Sequence, residues 1–127
     1  MYLFKSKEEK ARLSNIKNLI ALAMADGKVE RSELAAIAAV AERDNIDEKE
    51  IKKILEGKDK VKFVVPETNS EKIRFLQDMV ALMMIDGNID DNEFALCKLV
   101  AIDFGYRHEV IDAMILDIIA SLKSESI

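Results

Sequence analysis

Apolar positions recur along most of this chain at intervals of three and four, the period of helices with one buried face. Leu13, Ile16, Leu19, Ile20, Ala23 and Met24 follow that spacing behind a capping box at Ser6-x-x-Glu9, which predicts a helix from about Lys7 to Ala25. Asp26-Gly27 closes it, because glycine tolerates the left-handed conformation at a helix end. A second helix is predicted from Glu30 or Arg31 to Asn45, with Leu34, Ala35, Ile37, Ala38 and Ala41 as its buried stripe. Asp47-x-x-Glu50 then opens a short helix through Leu55, with Ile51, Ile54 and Leu55 turned inward.

The pattern changes between Gly57 and Ser70. Val61-Lys-Phe-Val-Val-Pro66 has β-type residues but no partner strand, and Pro66 has no N–H to give a ladder. This segment reads as an extended connection whose apolar residues pack down. Helical spacing resumes behind Thr68-x-x-Glu71, with Ile73, Leu76, Met79, Val80, Met83 and Met84 on one face up to Asp86-Gly87. The next helix uses Phe94, Cys97, Leu99, Val100 and Ala101 and ends at Gly105. The last runs from about Arg107 to Leu122 on Val110, Ile111, Met114, Ile115, Ile118 and Ile119.

Two segments read almost alike: Ala21-Leu-Ala-Met-Ala-Asp26-Gly27-Lys-Val-Glu30-Arg-Ser-Glu33 and Ala81-Leu-Met-Met-Ile-Asp86-Gly87-Asn-Ile-Asp90-Asp-Asn-Glu93. With the copies offset by about 60 residues, the expectation is an all-α bundle of about six or more helices built from two pseudo-repeated helix-turn-helix units. The halves would be roughly 6–57 and 68–123, within a single domain over 1–127. If they pack face to face, the carboxylates of both turns converge.

The length of 127 residues suits one domain with a sizeable core. Half the residues are hydrophobic and 34% are charged, which excludes disorder. A net charge of −5 argues against nucleic acid and anionic membrane surfaces, both of which attract clustered Lys and Arg. No apolar run reaches the ~18 residues of a membrane span. One cysteine, Cys97, allows no internal disulfide, and the first ten residues have no apolar core of signal-peptide length. The expected location is the cytoplasm.

The Asp-Gly turns invite comparison with a calcium loop. Gly27, Val29 and Glu33 fit the glycine, aliphatic and bidentate-glutamate positions of an EF-hand, as do Gly87, Ile89 and Glu93. The first two ligand positions fail, since Leu22 and Met24, or Leu82 and Met84, offer no hard oxygen. The carboxylates also have a purely structural use. Asp90 is a good N-cap, Glu33 and Glu93 suit the third helical position, and negative charge in a first turn suits the helix dipole.

Ala-Asp-Gly-x-Val-x-x-x-Glu, ending one helix and starting another, occurs in near-copy twice in this helical chain. In this it resembles the TerB family linked to tellurite resistance, and the TerB-like domain of certain DnaJ-type membrane co-chaperones. The resemblance spans roughly Leu13 to Leu122. It implies a non-enzymatic, stress-associated helical domain of two related units, with a metal site at the Asp-Gly turns. Carried over by position, the ligands would be Asp26, Glu30 and Glu33, then Asp86, Asp90 and Glu93. An all-oxygen set suits Ca²⁺, Mg²⁺ or Mn²⁺. Lys28 and Arg31 bring positive charge into the first copy where Asn88 and Asp91 stand in the second, so the second is the better candidate. The competing expectation is a protein-interaction module whose acidic residues only cap helices.

The remaining residues add little chemistry. His108 lies in a polar run and reads as a surface residue; Cys97 lies on an apolar stripe and reads as core. Lys52, Lys53, Lys58, Lys60 and Lys62 read as a solvated stretch. No phosphate loop or nucleophile elbow is present, so an enzymatic use of the carboxylates has no supporting motif. A protein partner is expected, and the alanine-rich second helix suits either internal packing or a homodimer face.

Overall fold

Among the described residues, six helices form where the periodicity places them. In chain order they are α1 (Lys7–Met24), α2 (Arg31–Arg43), α3 (Glu48–Glu56), α4 (Asn69–Met83), α5 (Asp91–Asp103) and α6 (Glu109–Glu125). The computed structural model describes residues 6–24, 31–57, 60–85 and 89–125, without the side chains of Ser32 and Glu125. Asp26, Gly27, Glu30, Asp86 and Gly87 lie outside the described residues. Among those described there is no strand, so the architecture is all-α.

Local chemistry sets the helix starts. Ser6 Oγ accepts the Glu9 N–H at 3.1 Å, Asp47 Oδ1 accepts the Lys49 N–H at 3.1 Å, and Thr68 Oγ1 accepts the Glu71 N–H at 3.2 Å. Each side chain satisfies a donor that a first helical turn leaves without an intrahelical partner.

The chain divides into two compact units, 1–71 and 72–127, with the division inside the first turn of α4. In the first unit α1 packs on α2. Its core contains Ile16, Leu19, Ile20 and Ala23 of α1, Ile37 and Ala41 of α2, and Ile54 of α3. In the second unit α5 packs on α6. Its core contains Phe75, Leu76, Met79, Val80 and Met83 of α4, with Cys97, Ala101, Phe104, Ile111 and Met114. The Phe75 and Phe104 rings meet at 5.9 Å between centroids, tilted by 50°, a favoured aromatic arrangement. Lys72 Nζ donates to the Phe104 carbonyl oxygen at 3.4 Å, placing a cation at the end of α5 where the helix dipole favours one.

The buried stripes differ from expectation at three places. In α2, Ile37 and Ala41 are buried, but Leu34, Ala35 and Ala38 are exposed. In α5 and α6, Leu99 and Ile119 are exposed rather than inward. In α2, Leu34 and Ala38 lie beside the buried Ile37 and Ala41 on an apolar sector wider than neighbouring helices cover, whereas Leu99, two residues from both Cys97 and Ala101, faces the opposite side of α5.

The extended connection also behaves differently. Val64 and Val65 are exposed rather than packed down. The segment is fastened through its backbone instead. Asn18 of α1, fully buried, donates from Nδ2 to the Val64 carbonyl at 2.7 Å and accepts the Val64 N–H on Oδ1 at 2.8 Å. One side-chain amide thus does for Val64 what a neighbouring strand would do.

Candidate functional site

Three of the six carboxylates singled out by the repeat are described. Asp90 is the N-cap of α5, with extended backbone at φ −75° and ψ 131°. Its Oδ1 accepts the Asn92 N–H at 2.7 Å, and its backbone carbonyl accepts the Phe94 N–H at 2.9 Å. A carboxylate so held satisfies a first-turn donor and sits at the positive end of the helix dipole. Glu93 stands half-buried in the same turn. Its negative charge, added to burial, pushes the Cys97 thiol up to about 12, with burial the larger cause. Glu33 stands half-buried in the first turn of α2. Asp26, Glu30 and Asp86 lie outside the described residues, as noted above. Among the described residues, no group of three or more His, Cys, Asp or Glu side chains is arranged to hold a metal ion.

Cys97 is core, as its stripe predicts. It is 3% exposed, and its Sγ lies 3.8 Å from Met83 Sδ. A thiol held that far above its ordinary pKa of 9.0 is a poor nucleophile at neutral pH. His108 is a surface residue, pairing through Nε2 with Glu109 Oε1 at 2.5 Å. Arg107 Nε binds the other oxygen of that carboxylate at 2.9 Å.

Among the described residues, a concavity lies elsewhere, between α2 and α3. It is an open groove of about 750 Å³, within the size range of binding clefts. Ala38 and Ala41 of α2 form part of its floor, and Ile46, Ile51 and Leu55 the rest. Glu42, Glu48 and Glu56 stand around it with one basic residue, Lys52. The groove exists because alanine leaves the α2 surface low beside the half-buried Ile51 and Leu55. The exposed Leu34 and Ala35 continue α2's apolar surface toward its N-terminus.

Sequence reasoning named every residue of that floor except Ile46 and read them as inward; Ala41 is indeed buried, but Ala38 is exposed and Ile51 and Leu55 are half-buried. The available signal was width: Leu34, Ala35, Ile37, Ala38 and Ala41 span more of α2 than one neighbouring helix can cover. A second, smaller hollow of about 320 Å³ has charges of both signs, including Arg12, Asp44, Asp47 and Lys53. Its buried Asp44 carboxylate is already held by Arg43, at 3.1 Å from Nε.

No protein family, curated protein or solved structure matches this chain. Among the described residues no helix is long and apolar enough to cross a membrane.

Proposed function

We propose that this chain is a non-enzymatic, TerB-like helical module that holds a segment of another protein in the groove between α2 and α3. The observation that carries this reading is the groove itself, a large open cleft with an apolar floor and a charged margin. The accessible part of this floor, the exposed Ala38 with the half-buried Ile46, Ile51 and Leu55, gains free energy when covered, and a charged margin gives the cover an orientation. The acidic residues of the Asp-Gly turns serve on this reading to start helices. Asp90 supports it, since one carboxylate oxygen is committed to the Asn92 N–H.

The capping role is tested by thermal melting of the whole chain with and without Ca²⁺, Mg²⁺ or Mn²⁺. Asp90→Ala lowers stability by about 0.5–2 kcal/mol, while Asp90→Asn, an equally good cap, changes it little. Neither difference depends on the cation. A cation-induced rise in the melting temperature of the wild type that Asp90→Asn abolishes would replace capping with metal binding.

A further inference from the structure

The charge around the α2–α3 groove specifies what occupies it. Three of its four charged lining residues are acidic: Glu42, Glu48 and Glu56 against Lys52. The helix dipoles are offset at their ends, since Arg43 and Lys53 stand in the last turns of α2 and α3 and Asp47 and Glu50 at the start of α3. The groove is therefore apolar along its floor and negative around its margin.

Its dimensions suit a helix. The α3 wall is 9 residues long, about 13 Å at the rise of an α-helix, so roughly two turns of an incoming helix can lie against it. Such a ligand presents apolar anchors at i, i+3 or i+4, and i+7. A second copy of this chain is disfavoured, because its net charge of −5 repels the same margin. Nucleic acid is disfavoured for the same reason.

Resting on the binding-module reading above, we propose that the groove binds a basic amphipathic helix of a partner protein. Its leucine-like residues settle on Ala38, Ile51 and Leu55, and its Lys or Arg residues flank them against Glu42, Glu48 and Glu56. The glutamates accelerate encounter and select the sign of the partner; the apolar floor supplies most of the affinity.

The test uses the whole chain and a fluorescent amphipathic peptide of leucine and lysine, with a leucine–glutamate peptide of the same spacing as comparison. Anisotropy titration shows saturable binding of the lysine peptide that weakens as salt rises, and none of the glutamate peptide. Ala38→Trp, which fills the floor, weakens the lysine peptide about tenfold or more. The triple variant Glu42→Lys, Glu48→Lys, Glu56→Lys reverses the preference, taking up the glutamate peptide. Circular dichroism and melting confirm that each variant is folded. Equal binding of both peptides by the wild type overturns the proposal. So does undiminished lysine-peptide binding by the triple variant. If replacing the exposed Leu99 of α5 and Leu116 of α6 (Leu99→Glu with Leu116→Glu) abolishes binding while the groove variants do not, the groove assignment falls and the binding-module reading survives. Absence of saturable binding to either peptide removes both.

Discussion

The turn that follows α2 and the turn that follows α5 share their backbone and differ in their contents. After α2, the Asn45 N–H reaches the Glu42 carbonyl at 3.1 Å and the Ile46 N–H reaches Ala41 at 2.9 Å. After α5, the Gly105 N–H reaches the Ile102 carbonyl at 2.9 Å and the Tyr106 N–H reaches Ala101 at 3.0 Å. Both are Schellman motifs, and both need a left-handed residue, here Asn45 at φ 57° and Gly105 at φ 92°. The residue before each is buried, but Asp44 in one case and Phe104 in the other. Hydrogen bonding thus fixes the turn, while the buried residue decides what the turn is anchored to. Phe104 anchors one to an aromatic partner, whereas Asp44 faces a hollow of mixed charge and pairs with the half-exposed Arg43.

Phe104→Ala should break that difference most severely. It removes a buried ring from Phe75 and costs about 3–5 kcal/mol, as expected for a large-to-small change in a core. Denaturant midpoints at constant slope measure it. A loss under about 1 kcal/mol would show that the ring contact does not anchor the turn.

Next in size is Asn18→Leu, which acts on the first unit alone. The leucine fits a buried helix face but leaves the Val64 N–H and carbonyl without their partner amide, at a cost of about 2 kcal/mol. Amide exchange should show the loss as faster exchange at Val64 before the helices are affected. Unchanged exchange there would mean that the clamp does not hold the connection.

This clamp also shows where sequence reading stops. The six helices were legible because spacing and capping residues act over a few positions: Ser6, Asp47, Thr68 and Asp90 all cap as their local sequence predicts. The Asn18–Val64 pairing joins residues 46 apart in sequence, and nothing local marks an asparagine on an apolar helix face as a partner for a distant backbone. The groove was hidden for a related reason. Ala38 and Leu55 look like core to any periodicity argument, and only the placement of neighbouring helices decides that they line an open surface. Of the acidic candidates, Asp90 was legible as a cap because capping is local. Convergence of carboxylates from two turns depends on packing, which no spacing rule supplies.

A milder substitution sharpens the comparison at the left-handed residue. Gly105→Ala should cost about 1–2 kcal/mol, because an L-residue pays for positive φ even though no atom lies within 4 Å of the added Cβ. Asn45→Gly should shift stability by less than about 0.5 kcal/mol, since asparagine already tolerates that region and glycine loses in the unfolded chain what it gains in the turn. Equal effects at the two sites would mean that the motifs are strained alike.

The smallest effect concerns Cys97 and appears only in alkali. Its thiol is raised from 9.0 to about 12 in the folded chain. Below about 9 the group is neutral in both states. Between 9 and 12 the unfolded state loses the proton while the native state keeps it, so stability falls as pH rises through that window. The wild type should therefore lose stability relative to Cys97→Ala above pH 9, and iodoacetamide should label Cys97 in denaturant but not in the native chain at pH 8. Parallel pH profiles for the two proteins would contradict the burial of the thiol.

Where a partner touches the chain is most directly read from amide shifts in an ¹⁵N-labelled sample titrated with the leucine–lysine peptide. The groove account predicts the largest changes at Ala38, Ile46, Lys52 and Leu55, saturating with the binding curve and small at Asn92 and Glu93. Changes centred on Leu99 and Leu116, or on the first turn of α5, would contradict it.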